Sequence, residues 1–123
     1  MIEIGLKHTS ELIVTEYVTA VRMGSGDMAV LATPAMMALM ENAAMLAVAP
    51  HLPEGNTTVG GHIATSHLRP TPLGGRITAT ATVTNVDGNK IEFRIEAHFG
   101  DTVIGEGSHL RFIVDRKKFL ERL

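Results

Sequence analysis

Glu41 is the residue in this chain whose type fits its surroundings least. It is the only charge in the apolar segment Thr33–Pro50. An ionised carboxylate left unpaired among apolar side chains costs several kcal/mol or is neutralised by a shift in its pKa. We therefore interpret Glu41 as a carboxylate retained for acid–base or nucleophilic chemistry. The structural alternative is a glutamate at a helix edge that reaches solvent or pairs with an arginine.

Other candidates for chemistry lie on both sides of Glu41 in the sequence: Thr33, Gly60, Gly61, His67 and Arg111. Paired glycines let backbone N–H groups approach a ligand closely enough to polarise a carbonyl group. Each candidate taken alone also has a structural explanation. These are a helix N-cap for the threonine, an ordinary loop for the glycines, a structural donor for the histidine and an edge charge for the arginine.

Metal and cofactor chemistry find little support in the sequence. The chain has no cysteine, which excludes disulfides, a cysteine nucleophile and a cysteine-based zinc site. His62 and His67 are five residues apart and would point to opposite faces of a strand. His98 and His109 can meet across the final hairpin, but no third ligand is implied. Phosphate-binding, dinucleotide-binding and serine-elbow motifs are absent, so we expect neither a metal nor a cofactor.

Composition narrows the classes of partner further. The 123 residues fit one domain, 1–123, and the formal net charge of −2 comes with scattered basic residues. A nucleic-acid partner would need a basic patch, so none is expected. Thr33–Pro50 is shorter than the ~20 residues of a membrane span and carries Glu41, which argues against membrane insertion. The N-terminus has no signal pattern, and we expect a cytoplasmic protein.

The segment Thr33–Pro50 itself predicts a long helix. Ala, Met and Leu are strong helix formers, Thr33 suits the N-cap and Pro34 suits the first helical position. The segment is apolar all round, which predicts a helix buried on every side.

Strand patterns surround this helix. Arg76–Val86 alternates between apolar and polar residues as far as Thr84, Lys90–Phe99 alternates throughout, and Asp87-Gly88 between them is a hairpin signal. A sheet curled round one helix follows, an α+β, antiparallel hot-dog arrangement. The remaining predictions are strands at Ser10–Ala20, His62–Arg69 and Thr102–Val114, a short strand or extended lead-in at Met28–Ala32, a loop at Leu52–Gly61, and a short helix or tail at Asp115–Leu123.

Taken together, these features resemble the hot-dog thioesterases of the fluoroacetyl-CoA thioesterase type, over roughly Leu31–Phe119. The most specific matches are Thr33, Leu39–Glu41, Ala49-Pro50, Gly60 seven residues before His67, the turn Pro70–Pro72 and the Gly-Ser-His-x-Arg segment ending at Arg111. The resemblance implies a catalytic set at Thr33, Glu41 and His67, an acyl-CoA contact at Gly60 and a substrate contact at Arg111. It also implies an active site between two chains, in a homodimer or a dimer of dimers.

One departure limits what the resemblance implies. The fluoroacetyl-selective enzyme has a longer segment before its threonine, with phenylalanines that form a lid. Here that segment is VRMGSGDMAVLA, and the first phenylalanine of the chain is Phe93. We therefore expect hydrolysis of an acyl-CoA, with a short acyl group, but not fluoroacetyl specificity.

Two questions stay open from the sequence. An ideal helix separates Thr33 and Glu41 by about 12 Å along its axis, so either the helix begins irregularly or the two act from different chains. Glu41 and His67 can each serve as base, and Glu41 also as nucleophile, with a backbone N–H at Gly60 or Gly61 polarising the carbonyl. The alternative functions are a non-catalytic acyl-CoA or small-ligand binding module and a hot-dog hydratase or dehydratase.

Overall fold

The computed structural model describes residues 1–123 and contains one five-stranded antiparallel sheet. Its strand order is β1-β3-β4-β5-β2, which leaves β1 and β2 at the edges. The α+β prediction of a sheet around one long helix is confirmed. The elements are β1 (Lys7–Ile13), α1 (Ala20–Met23), α2 (Thr33–Val48), β2 (Asn56–His67), β3 (Arg76–Asp87), β4 (Lys90–Phe99), β5 (Thr102–Asp115) and α3 (Arg116–Glu121), with 3₁₀ helices at Glu16–Val18 and Ala49–His51.

The central strands follow the predicted alternation. β3 and β4 bury every second side chain against the helix and turn the others outward. The turns that join β3 to β4 and β4 to β5 contain Gly88 at φ +60° and Gly100 at φ +59°. This left-handed conformation favours glycine over residues with a Cβ. The buried residues of these strands are Ile77, Ala79, Ala81, Val83, Ile91, Phe93, Ile95 and Ala97.

The long helix α2 departs from its prediction at the N-cap. The N-cap residue is Ala32, whose side chain cannot accept a hydrogen bond, and Thr33 is the first helical residue. The prediction that Thr33 caps the helix is therefore wrong. Its hydroxyl group remains available for another partner.

The prediction that α2 is buried on every side is also wrong. One face packs on the sheet, but Ala38, Asn42 and Leu46 lie on an exposed stripe at four-residue spacing. Leu46 is 39% exposed. Neither α2 nor any other helix is both long and apolar enough to cross a membrane.

The first predicted strand, Ser10–Ala20, is only partly correct. β1 ends at Ile13, and the rest of the predicted strand contains the 3₁₀ helix Glu16–Val18 and ends at the first residue of α1. Thr19 explains the change, because its hydroxyl accepts from the Arg22 N–H and donates to the Glu16 carbonyl. Such local hydrogen bonds compete with strand pairing and override the β propensity of Val and Tyr. Met28–Ala32 is an extended lead-in with isolated bridges, as predicted.

The predicted loop Leu52–Gly61 is wrong in its second half. β2 begins at Asn56 and pairs with β5, with a shift of register between Gly60 and His62. The two glycines therefore lie within a strand. Close packing explains another glycine, since a Cβ at Gly107 would collide with the Ala64 carbonyl oxygen.

Candidate active site

Thr33 and His67 form a direct hydrogen bond. Thr33 is the first residue of α2 and His67 is the last residue of β2. Their Oγ1 and Nδ1 atoms are 2.8 Å apart. This Thr–His pair explains why the Thr33 hydroxyl does not cap the helix. It also orients the imidazole ring at the end of an edge strand.

The other ring nitrogen of His67, Nε2, is buried and has no hydrogen-bond partner within the chain. Burial lowers the pKa of His67, and the Arg69 backbone offsets part of this effect. The imidazole therefore stays neutral at neutral pH and can accept a proton. An imidazole nitrogen that is buried without a hydrogen-bond partner costs free energy, which makes Nε2 an unusual feature of the single chain.

The Thr–His pair lies in the wall of an open cleft of about 300 Å³. The cleft lies between the segment before α2 and the segment after β2, and no phenylalanine, tyrosine or tryptophan lines it. This volume is at the lower end of the range of about 300–1,000 Å³ that is typical of ligand pockets. The lining residues are Ala20, Ser25, Val30, Leu31, Thr33, His67, Leu68, Arg69 and Pro70.

A second group of polar residues, the Glu–Arg cluster, comprises Glu41, Gly60, His109 and Arg111. Glu41 lies in the middle of α2, between its buried and exposed faces, with 42% of its side chain exposed, and its Oε2 is 4.0 Å from Arg111 Nη1. The edge-glutamate alternative thus describes its position correctly. A Cβ at Gly60 would lie 3.0 Å from Glu41 Oε2, so glycine keeps space open beside the carboxylate.

Arg111 is not an edge charge, because β5 lies inside the sheet and the residue is 7% exposed. Its Nε donates to Thr58 Oγ1 at 2.8 Å and its Nη2 to the Thr58 carbonyl at 2.9 Å. Burial lowers the pKa of Arg111 and Glu41 opposes this, but a guanidinium stays protonated in proteins. The cluster therefore presents a fixed positive charge beside an exposed carboxylate.

Sequence reasoning missed Thr58 and His109 as members of this site. His109 is 2% exposed, and its Nε2 lies 3.2 Å from Arg111 Nη1. The sequence could have indicated His109, because it lies two residues before Arg111 in a strand and the two side chains therefore share a face. Thr58 is likewise two residues before Gly60.

Gly61 does not join the Glu–Arg cluster. A Cβ there would come within 2.5 Å of the Phe112 ring, so the glycine makes room for an aromatic side chain. The remaining candidates fall into two groups, Thr33 with His67 and Glu41 with Gly60 and Arg111. The groups lie about 12 Å apart along α2 and about 23 Å apart along β2.

No three histidine, aspartate or glutamate side chains lie close enough to hold a metal ion. His98 pairs with Val103 across the last hairpin, whereas His109 pairs with Phe93. The two histidines consequently do not meet, contrary to the possibility left open by the sequence. His98 contacts Glu96 instead, at 3.0 Å.

Comparison with known proteins adds independent information. The profile of the FlK family, described as fluoroacetyl-CoA-specific thioesterase, matches residues 14–117. The fluoroacetyl-CoA thioesterase of Streptantibioticus cattleyicolor is 39% identical over 90 residues, 73% of this chain and 65% of that protein. The chain thus matches just under two thirds of the length of this relative.

Solved structures agree in fold. A structure of the fluoroacetyl-CoA thioesterase FlK superposes with a TM-score of 0.92 at 30% identity, covering 99% of this chain and 95% of that one. A thioesterase superfamily member from Thermus thermophilus gives a TM-score of 0.91 at 27% identity, covering 99% and 90%. Variants of FlK have been solved in complex with fluoroacetate and CoA and with acetyl-CoA.

Proposed function

The chain belongs to the fluoroacetyl-CoA-specific thioesterase family, and from this we propose that it hydrolyses an acyl-CoA thioester to a free acid and CoA. The observation that carries the proposal is the 2.8 Å hydrogen bond between Thr33 and His67 at the wall of the cleft. A neutral, oriented imidazole beside a cleft for a small group is what thioester hydrolysis requires. The acyl group is accordingly short.

In the proposed reaction, water adds to the thioester carbonyl carbon and the C–S bond then breaks. Glu41 acts as base toward the water or adds directly as nucleophile, in which case water releases the acyl group from it. The neutral imidazole of His67 takes up the proton that water loses, directly or by way of Glu41, and returns it to the thiolate of CoA, while Thr33 holds the ring in position. A backbone N–H at Gly60 polarises the carbonyl oxygen as its negative charge develops.

This chemistry needs Glu41 beside the Thr–His pair, which the geometry of a single chain does not allow. The two groups are about 12 Å apart along a regular helix that begins at Thr33. We therefore place the Thr–His pair of one chain opposite the partner subunit's Glu41. In a symmetric dimer the same contact occurs twice and creates two equivalent sites.

Surface features support this dimer. The exposed stripe of α2 borders an apolar groove of about 440 Å³ that Leu12, Tyr17 and Val18 also line. β2, which carries Gly60 and His67, has one unpaired edge, and proteins normally pair or cover such edges. Pairing of β2 with the same strand of a second copy would cover this edge, and the groove, which lies on the β1 side of α2, is a separate apolar surface that association can bury.

We expect a homodimer as the minimum unit in solution. Sedimentation velocity at micromolar concentration should show a species of twice the 13.2 kDa chain mass, or a dimer of dimers. A single 13.2 kDa species under these conditions would contradict both the dimer and the composite site.

The direct test of the proposed function is a panel of saturated acyl-CoA thioesters of increasing length, with detection of the free thiol. We expect turnover to be highest for the shortest acyl groups. An enoyl-CoA should be hydrated no faster than in buffer, which separates a thioesterase from a hydratase. Tight CoA binding without turnover of any thioester would instead identify a binding module.

Fluoroacetyl-CoA should not be strongly preferred over acetyl-CoA. No phenylalanine, tyrosine or tryptophan lines the cleft, so water is excluded less well and the acyl group is distinguished less sharply. The measurement is the ratio of kcat/KM for the two substrates. A preference of several orders of magnitude would show that selectivity in this chain does not depend on an aromatic lid.

A further inference from the structure

The Arg111 side chain is held at more points than a simple charge would require. Two of its nitrogens donate to Thr58, and Nη1 lies 3.2 Å from His109 Nε2. Nη1 is also the atom that faces Glu41, at 4.0 Å, and the space beside Gly60. Thr58 therefore anchors the inner side of the guanidinium, and His109 anchors the nitrogen that faces the open space.

The hydrogen bonds of His109 determine its tautomer. Its Nδ1 lies 2.7 Å from the His62 carbonyl oxygen, which only accepts, so Nδ1 carries the hydrogen. Its Nε2 faces the N–H donor of Arg111 and must therefore accept. Only the neutral Nδ1–H form satisfies both contacts, because a second hydrogen on Nε2 would face another donor.

The surroundings of His109 favour the same neutral form. Burial lowers the pKa of His109, while the hydrogen bond to the His62 backbone raises it. Arg111 on β5 and the side chain of His62 on β2 lower the pKa, and Glu41 on α2 raises it. From β4 the ring of Phe93 stacks at 6.0 Å and brings no charge.

We propose that His109 is a positioning residue that holds Arg111 Nη1 in place to donate to an oxygen atom of the acyl-CoA substrate. The proposal rests on the proposed function, because it assumes that Arg111 contacts that substrate. His109 itself touches neither the substrate nor the reacting atoms. Its loss leaves the charge of Arg111 and its two hydrogen bonds to Thr58 intact, but removes the acceptor that fixes the outer nitrogen, so that Nη1 can shift toward Glu41 or solvent.

A pair of substitutions separates positioning from packing. His109→Asn keeps a donor for the His62 carbonyl but removes the acceptor for Arg111. His109→Gln places an amide oxygen where Nε2 was, which restores the acceptor. We expect KM to rise about tenfold in His109→Asn with little change in kcat, and to return to within about threefold of wild type in His109→Gln.

Two controls belong to this experiment. His98→Asn changes a histidine of the outer sheet face, next to Glu96, and should leave KM unchanged. Arg111→Ala should raise KM by itself, and adding His109→Asn to it should have no further effect, since His109 then has nothing to position. Circular dichroism and Tm establish that each variant is folded.

Two further measurements do not depend on turnover. The dissociation constant of CoA, measured by calorimetry, should rise in His109→Asn, as KM does. The ¹⁵N shifts of the ring should show a neutral Nδ1–H imidazole at pH 7. The proposal would be overturned if KM is unchanged in His109→Asn or if KM rises equally in His109→Asn and His109→Gln. A ring that is charged, or that carries its hydrogen on Nε2, would also overturn it. Absence of hydrolysis by wild-type protein would contradict the proposed function alone, since the ring tautomer still tests His109.

Discussion

Glu41→Gln should lower kcat by about 100-fold or more while leaving the protein folded and dimeric. This is the loss expected when a general base or nucleophile is removed. The amide has nearly the shape of the carboxylate, and 42% of the Glu41 side chain is exposed, so packing changes little. Arg111 keeps its hydrogen bonds to Thr58 and His109 and is not left without partners.

Glu106→Gln is the matched control for this experiment. Glu106 lies on the same strand as Arg111 but is exposed, and its side chain makes no ion pair. Its substitution should change neither kcat nor Tm. If Glu41→Gln retains near-normal kcat while folded and dimeric, Glu41 is an edge glutamate with a structural role only.

His67→Ala should reduce kcat by a similar factor, about 100-fold or more, because it removes a positioned acid–base group. Combining it with Glu41→Gln should cost less than the product of the two single losses, as is typical of groups that act as a unit. Strict multiplication of the two losses would indicate that the residues act independently.

The pH dependence of kcat/KM gives a second check on His67. Burial lowers the pKa of this imidazole below its usual value of about 6.5, so the neutral base persists as the pH falls through that value. The acidic limb of the profile should therefore lie below pH 6.5. An acidic limb centred above pH 6.5 would contradict the role of His67 as the base.

The sequence predicted best those elements whose side-chain pattern is strict. β4 was predicted with its observed bounds, Lys90–Phe99, because its residues alternate without interruption. α2 was predicted because Ala, Met and Leu dominate it. The end of the first strand was not predicted correctly, because local hydrogen bonds of Thr19 form helical turns where composition favours a strand. Residue propensity alone does not predict such hydrogen bonds.

The sequence singled out residues of the candidate site but did not specify how they are arranged. The hydrogen bond of Thr33 to His67 joins residues 34 positions apart, and only the fold brings them together. The exposure of Glu41 depends on which face of α2 meets the sheet, which the uniformly apolar sequence of this helix does not specify. The role of His109 depends on its ring contacts with His62 and Arg111, which cannot be predicted from a sequence motif.

The central claim is that each active site combines the Thr–His pair of one chain with the partner subunit's Glu41. Mixing the inactive variants Glu41→Gln and His67→Ala under conditions that exchange subunits tests it directly. A mixed dimer then has one intact site and one doubly altered site. With random exchange, activity should recover to about a quarter of the wild-type level. If the residues act within one chain, every site in the mixture carries a defect, and activity should stay at the level of the single variants.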